Sequence, residues 1–382
     1  MSDAPIPLAR PDIGAREEEL VLEVMRSGRL SLGPMLERFE REFAAWLGAD
    51  GAVAVSSGTA ALHLAVRALG WGRGAEVVTS PFSFVASANC LLYEDVMPVF
   101  CDIDPVTLNL DPQAADAACG SRTSGLLPVH IFGYPADLQA LEQIAANRGL
   151  GIVEDACEAL GGLDAEGIPL GARGHPAAFA FYANKQLTTG EGGMLAAGDA
   201  GVRKRVRSER NQGRGEDMDW LGHYRLGFNY RLSDVAAAIG VAQLERVDEI
   251  LAARSRVAAL YAERLDGIEG LELPCPDRDR ARRSWFVYVV QLPEQADRDG
   301  VIGALAERGI ASKAYLPCIH LQPFYRERFG FRGGEFPVAE RVGARSLALP
   351  FFTALSEGQV DRVCEALRAL IPAGGRQARV VR

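Results

Sequence analysis

The chain has 382 residues, 41 of them Lys or Arg and 50 Asp or Glu, for a formal charge of −9. At roughly 150 residues per domain this is two or three domains with room for a buried cleft, which excludes a small disulfide-stapled scaffold. The acidic balance gives no electrostatic footprint for nucleic acid or an acidic membrane, so any anionic ligand must be caught by local groups. Apolar residues at 48% and charged residues at 24% exclude disorder as the main character. Seven scattered cysteines without a Cys-x-x-Cys pair read as free thiols of a reducing compartment. The segment MSDAPIPLARPDIGAREEEL lacks the basic and apolar regions of an export signal, and no stretch reaches the ~20 apolar residues of a membrane span. A cytoplasmic protein with no membrane partner is expected.

Between residues 50 and 200, short apolar runs alternate with helical patterns, which predicts an α/β domain with a largely parallel sheet. GAVAVSS reads as a strand followed by a helix from Thr59 to about Leu69; AEVVTSP is the next strand, and Pro81 opens a helix through Leu92. VMPVFCDI, 126–129 and 151–154 read as further strands, the last two flanking a helix from about Ala136 to Asn147. The runs 177–181 and 193–196 bracket an exposed turn, NKQLTTGEG. Ser233 caps one long helix that ends at Asp266 and Gly267. WFVYVVQL, a helix over 298–307 and an amphipathic helix over 357–370 then make a smaller α+β lobe. The expected division is 1–250 for the large domain and 251–382 for the small one.

Three places carry chemistry. Ser56-Ser57-Gly58-Thr59-Ala60 passes from a strand end through glycine into a helix start, where unpaired N–H groups and the helix dipole attract a phosphate. Lys185 lies in a loop rich in glycines and hydroxyls; a lysine nucleophile must be desolvated or held as a Schiff base, whereas most loop lysines are simply solvated. Asp155 closes the apolar run Ile152-Val153-Glu154, the strand end at which open α/β sheets place ligand groups, and can keep a heterocyclic nitrogen protonated. Phosphate turn, strand-end Asp and loop Lys in this order are what pyridoxal phosphate requires.

Several ordered motifs resemble the DegT/DnrJ/StrS family of sugar aminotransferases across nearly the whole chain. They are SGRLSLGP with Phe39-Glu40, SSGTAALHLA, PFSFVASAN, EDACEALGG, NKQLTTGEGG, GFNYRLSDVAAAIGVAQLER and YLPCIHLQPFY. The resemblance implies the type I fold of pyridoxal phosphate enzymes: a large domain with a mostly parallel mixed sheet and a smaller C-terminal α+β domain. It implies that Lys185 forms the Schiff base and that Asp155 partners the pyridinium nitrogen. Ser57, Gly58 and Thr59 would hold the phosphate, Phe84 would stack on the ring, and Glu158 would stand beside the cofactor. Asn229 would reach the phosphate of a neighbouring subunit, which implies a homodimer with active sites at its interface. Ser31, Tyr315 and His320 match the sugar side of the pocket, and no metal is expected.

The sequence departs from the family pattern at Phe179-Ala180-Phe181, where many members carry a phosphate-binding serine, and at Lys313, a frequent arginine. Glu158, often Gln or His, is similar to members acting on the fourth sugar carbon, such as GDP-perosamine synthase. The expected reaction is a ping-pong transfer from L-glutamate to a nucleotide-linked keto-6-deoxy sugar through pyridoxamine phosphate. The rivals are amination at the third carbon, a sugar dehydratase (typically His at the Schiff-base position, so disfavoured by Lys185) and a non-catalytic regulatory protein on the same fold. The basic run from Arg203 to Arg214 can meet the anionic substrate or form a solvated helix face, the blander reading being preferred. His63 and His130 are expected to be packing residues.

Overall fold

The computed structural model describes residues 4–215 and 222–371. Eight short segments build its main sheet: β1 (Ala52–Val55), β2 (Glu76–Thr79), β3 (Met97–Phe100), β4 (Thr123–Leu127), β5 (Gly151–Ile152), β6 (Glu154–Asp155), β7 (Ala177–Ala180) and β8 (Gly193–Ala196). β5 and β6 form one extended run beside β4, because Val153 donates to the Leu126 carbonyl (3.0 Å) and Asp155 to that of Pro128 (2.9 Å). The order is therefore β3-β2-β4-β5/β6-β7-β8-β1. All pairs from β3 to β7 are parallel, while β8 runs antiparallel to both β7 and β1. β8 and β1 are buried along their length and β7 in all but its last residue, as expected of a sheet covered by helices on both faces. The fold is the type I α/β architecture that the resemblance implies.

A second, antiparallel sheet of β9 (Tyr288–Gln291), β10 (Lys313–Ala314) and β11 (Ser346–Leu349) carries the helices Arg298–Glu307 and Glu357–Leu370. Its core joins Val290, Leu347 and Val363 to Val257 and Tyr261 of the helix Val247–Leu265. Ile6 belongs to this cluster and bridges Ile310, so the N-terminal segment packs with the smaller lobe.

Two expected helices differ in extent. The long one splits into Asp234–Glu245 and Val247–Leu265. Arg246 leaves helical dihedrals (φ −129°, ψ 19°), with its guanidinium committed to Glu17 and the Asp12 carbonyl. The helix expected from Pro81 begins only at Ala86, because the Ser80 hydroxyl accepts the Phe82 N–H and holds a turn. That turn delivers Ser83 and Phe84 to the site.

Candidate active site

The ends of β1, β6 and β7 and the start of β8 meet on one edge of the sheet. After β1 the Ser57 hydroxyl accepts the Ala60 N–H (3.1 Å) and caps the helix Gly58–Ala68. Gly58 and Thr59, at the positive end of the helix dipole where first-turn N–H groups lack intrahelical partners, line the cavity at the strand ends. Glycine is required in this turn: a Cβ on Gly58 would stand 2.7 Å from the Ala180 Cβ and 2.8 Å from the Cys157 Sγ, and one on Gly193 would stand 2.4 Å from the Ser57 carbonyl carbon.

Asp155 has both carboxylate oxygens fixed. The Ser87 hydroxyl donates to Oδ2 at 2.6 Å and the Cys157 N–H to Oδ1 at 3.2 Å, while Ser83 lies 2.7 Å from Ser87 and can orient it. Glu158, one turn further, accepts the Phe132 N–H through Oε2 (2.9 Å). Burial pushes its carboxyl above the ordinary range, and the Lys185 ammonium and the Phe132 N–H only partly offset this.

Lys185 lies between β7 and β8 in a turn closed by its own N–H on the Tyr182 carbonyl (2.9 Å). Gln186 ties the next residue to the Glu158 carbonyl (2.6 Å) and the Ser284 hydroxyl (2.9 Å). The lysine side chain is only 13% exposed, its Nζ 3.7 Å from Glu158 Oε1 and 3.8 Å from the centroid of the Phe286 ring. Lys185, Asp155, Glu158, Ser57, Gly58, Thr59, Phe84 and Tyr315 line a single cavity of about 430 Å³. Phe84, 60% exposed, presents a ring at its rim, and Asn184 Oδ1, on the same wall, is buried with no hydrogen-bond partner among the described residues.

A buried lysine, an oriented carboxylate and a helix start in one cavity fit a phosphorylated aldehyde cofactor, and comparison with known proteins decides the matter. Residues 11–368 match the DegT/DnrJ/EryC1/StrS aminotransferase family. The chain belongs to this family. It is 38% identical over 374 residues to the GDP-perosamine synthase of Caulobacter vibrioides, covering 96% of this chain and 99% of that protein. It is 37% identical over 379 residues to the spore coat polysaccharide biosynthesis protein SpsC of Bacillus subtilis, covering 96% and 97%. The crystal structure of S. venezuelae DesV in complex with a ketimine intermediate superposes with a TM-score of 0.91 at 35% identity, covering 97% and 100% of the two chains. The chain is a sugar aminotransferase dependent on pyridoxal 5′-phosphate.

The aminotransferase cavity suits that cofactor on this structure's own terms. The helix start offers N–H donors for the phosphate, Asp155 an acceptor for the ring nitrogen, Phe84 a ring face and Lys185 an amine. With Ala180 in place of a hydroxyl residue, the strand end contributes no side-chain donor there.

Not every expected residue converges on the cavity. Tyr315 lines it, its ring 6.3 Å from Phe286, but His320 does not. The histidine is fully buried among Phe331 and Phe336, with Nε2 3.1 Å from Glu340, whose carboxylate is itself held by the N–H groups of Gly334 and Phe336. Ser31 and Asn229 are exposed, bridge Ser233 and Asn211, and do not line the cavity of their own chain. Lys313 is exposed on β10.

The basic run is not simply a solvated face either. Arg203 donates to the carbonyls of Ala197 and Gly198, Arg205 pairs with Glu209, and Arg210 is buried against Glu40. His63 and His130 are buried packing residues hydrogen-bonded to Glu94 and Glu154. Ser87 and Phe286 are site residues that sequence reasoning missed. Ser87 had a signal, since it lies in the PFSFVASAN block at helical spacing from Ser83. Phe286 had none, being about a hundred residues from the lysine it faces.

Proposed function

We propose that the aminotransferase moves an amino group from L-glutamate to the fourth carbon of a nucleotide-linked keto-6-deoxy sugar, the two substrates taking turns in one cavity in ping-pong order. The observation that carries this reading is Glu158, an acidic residue buried 3.7 Å from the amine of Lys185, in a chain similar over its length to a GDP-perosamine synthase. Bound pyridoxal phosphate supplies an electron sink and a temporary carrier for the amino group.

The chain's own residues do the rest. Lys185 Nζ takes and returns the proton exchanged between the substrate carbon and the carrier, acting as general base and then acid. Glu158 provides the proton partner beside it. Asp155, held by Ser87 and Cys157, stabilises positive charge on the ring nitrogen. Phe286 and Tyr315 exclude water from the reacting side, and Tyr315 faces the sugar.

We further propose a homodimer in the cytoplasm. Exposed apolar side chains (Leu30, Phe84, Tyr182, Tyr224 and Leu226) support a partner surface, and so does the exposure of Asn229. Seven free cysteines support a reducing compartment; among the described residues no helix is long and apolar enough to cross a membrane. The deciding experiment incubates the cofactor-loaded enzyme with L-glutamate and a panel of 3-keto and 4-keto sugar nucleotides. Product mass and the site of the new amine by NMR are read. Amination confined to the third carbon, or none with any member of the panel, overturns the reading.

A further inference from the structure

Arg254 is an anomaly in the helix Val247–Leu265. It is 4% exposed and forms no ion pair among the described residues, the Asp12 carboxylate acting on it only beyond ion-pair distance, although a buried cation without a paired counter-charge is costly. Burial lowers its guanidinium to about 10, which leaves it charged at neutral pH. Its hydrogen bonds go to backbone carbonyls: Nε to Trp285 (2.7 Å), and Nη2 to Phe286 (2.8 Å) and, at a longer 3.5 Å, to Asn184. The guanidinium carbon stands 5.2 Å from the centroid of the Phe351 ring. These acceptors are informative. Asn184 immediately precedes Lys185 in the loop after β7, and Phe286 carries the ring 3.8 Å from the lysine nitrogen. The three carbonyls belong to two segments about a hundred residues apart that meet at the lysine and, beside it, through the Gln186–Ser284 hydrogen bond. Arg254 itself stands where its helix passes into the core of the smaller lobe, next to Val257 and Tyr261.

We propose that Arg254 is a positioning residue, a buried clamp that fixes the backbone before Lys185 and the Phe286 wall as one unit, so that the smaller lobe sets where the lysine nitrogen stands. Lysine keeps the charge at this position but has no planar fork with which to bridge the carbonyls. The test uses Arg254→Lys and the milder Phe351→Leu, which keeps the guanidinium and removes the ring against it together with that ring's contacts to Trp285 and Tyr288. Each is stripped of cofactor and reloaded with pyridoxal phosphate. Two readouts besides turnover are the rate of capture at residue 185, followed by borohydride labelling and peptide mass, and the visible circular dichroism per bound cofactor. For Arg254→Lys the expected result is about tenfold slower capture, weaker visible dichroism and a lower kcat at little-changed KM. Phe351→Leu should move the same readouts in the same direction by less. Capture and dichroism at wild-type values in both folded variants, even with a lowered melting temperature, would show Arg254 to be structural only and overturn the proposal. If Arg254→Lys does not fold, Phe351→Leu decides by the same criterion.

Discussion

Glu158 faces Lys185 across 3.7 Å while its other oxygen is held by the Phe132 N–H. Because burial outweighs the attraction of the lysine, the carboxyl is raised above its ordinary 4.5. A carboxyl raised in the folded state contributes stability below its unfolded pKa and loses that contribution as pH rises through the folded value. At neutral pH the charged form therefore weighs against folding. The cofactor-free Glu158→Gln variant keeps an acceptor for Phe132 and should melt higher than wild type at pH 7, on the order of 1–3 °C. The gap should close as pH falls past the ordinary carboxyl range, and turnover should drop. A lower melting temperature at pH 7 would contradict the sign of the shift.

Only three lysines occur in the chain: Lys185, Lys204 and Lys313. Borohydride reduction of the loaded enzyme should therefore place the whole cofactor label on the peptide containing Lys185. Lys185→Ala should lose about a thousandfold or more in turnover, since the same nitrogen binds the cofactor and moves the proton. Label on either other lysine would refute the assignment.

Much of the site was legible because its chemistry sits in contiguous strings. A strand that ends in Ser-Ser-Gly-Thr must turn into a capped helix, and a strand that ends in Glu-Asp must bring its acid to the sheet edge. What could not be read was set by tertiary contacts. His320 looked like a pocket residue from its motif, yet Glu340, brought close by the fold, turns it into an aromatic cluster. The run from Arg203 to Arg214 looked like solvated charge because its acceptors, the Glu40 carboxylate and the carbonyls after β8, are remote in sequence or lack a side-chain signature. The helix break at Arg246 depends likewise on Glu17 and the Asp12 carbonyl, more than two hundred residues away.

Asp155 has no freedom to pivot, because Ser87 and the Cys157 N–H each hold one oxygen. Asp155→Asn keeps the shape and removes the charge. It should retain cofactor while losing about 10²–10³ in kcat. Ser87→Ala frees one oxygen without removing charge and should cost much less. Steady-state kinetics beside the visible absorbance of bound cofactor separate the two effects; equal losses in both variants would mean that orientation, not charge, is what Asp155 provides.

Arg210 and Glu40 form a largely buried pair that also clamps β1, with Glu40 accepting the Ala54 N–H and Arg210 donating to the Ala54 carbonyl. Arg210→Met leaves the Glu40 carboxylate with the Ala54 N–H and the more exposed Arg207 at 4.0 Å, and should cost about 1–3 kcal/mol in urea unfolding. Charge reversal of this residue would report folding rather than substrate attraction. If Arg210→Met unfolds with the wild-type midpoint and raises only the KM for the sugar nucleotide, the residue belongs to the substrate path after all.

Gly58 tests the helix start itself. A methyl group there would meet the Ala180 Cβ at 2.7 Å and the Cys157 Sγ at 2.8 Å, so Gly58→Ala must push the first helical turn away from the ends of β6 and β7. Overpacking of this kind costs about 1–3 kcal/mol, and here the displacement falls on the N–H groups assigned to the phosphate. The variant should fold, release pyridoxal phosphate more readily on dialysis and bind inorganic phosphate less well in its cofactor-free form. Adding Ala180→Gly opens space on one side of the new methyl and should recover part of the affinity. Cofactor retention equal to wild type in Gly58→Ala would show that the helix start does not carry the phosphate.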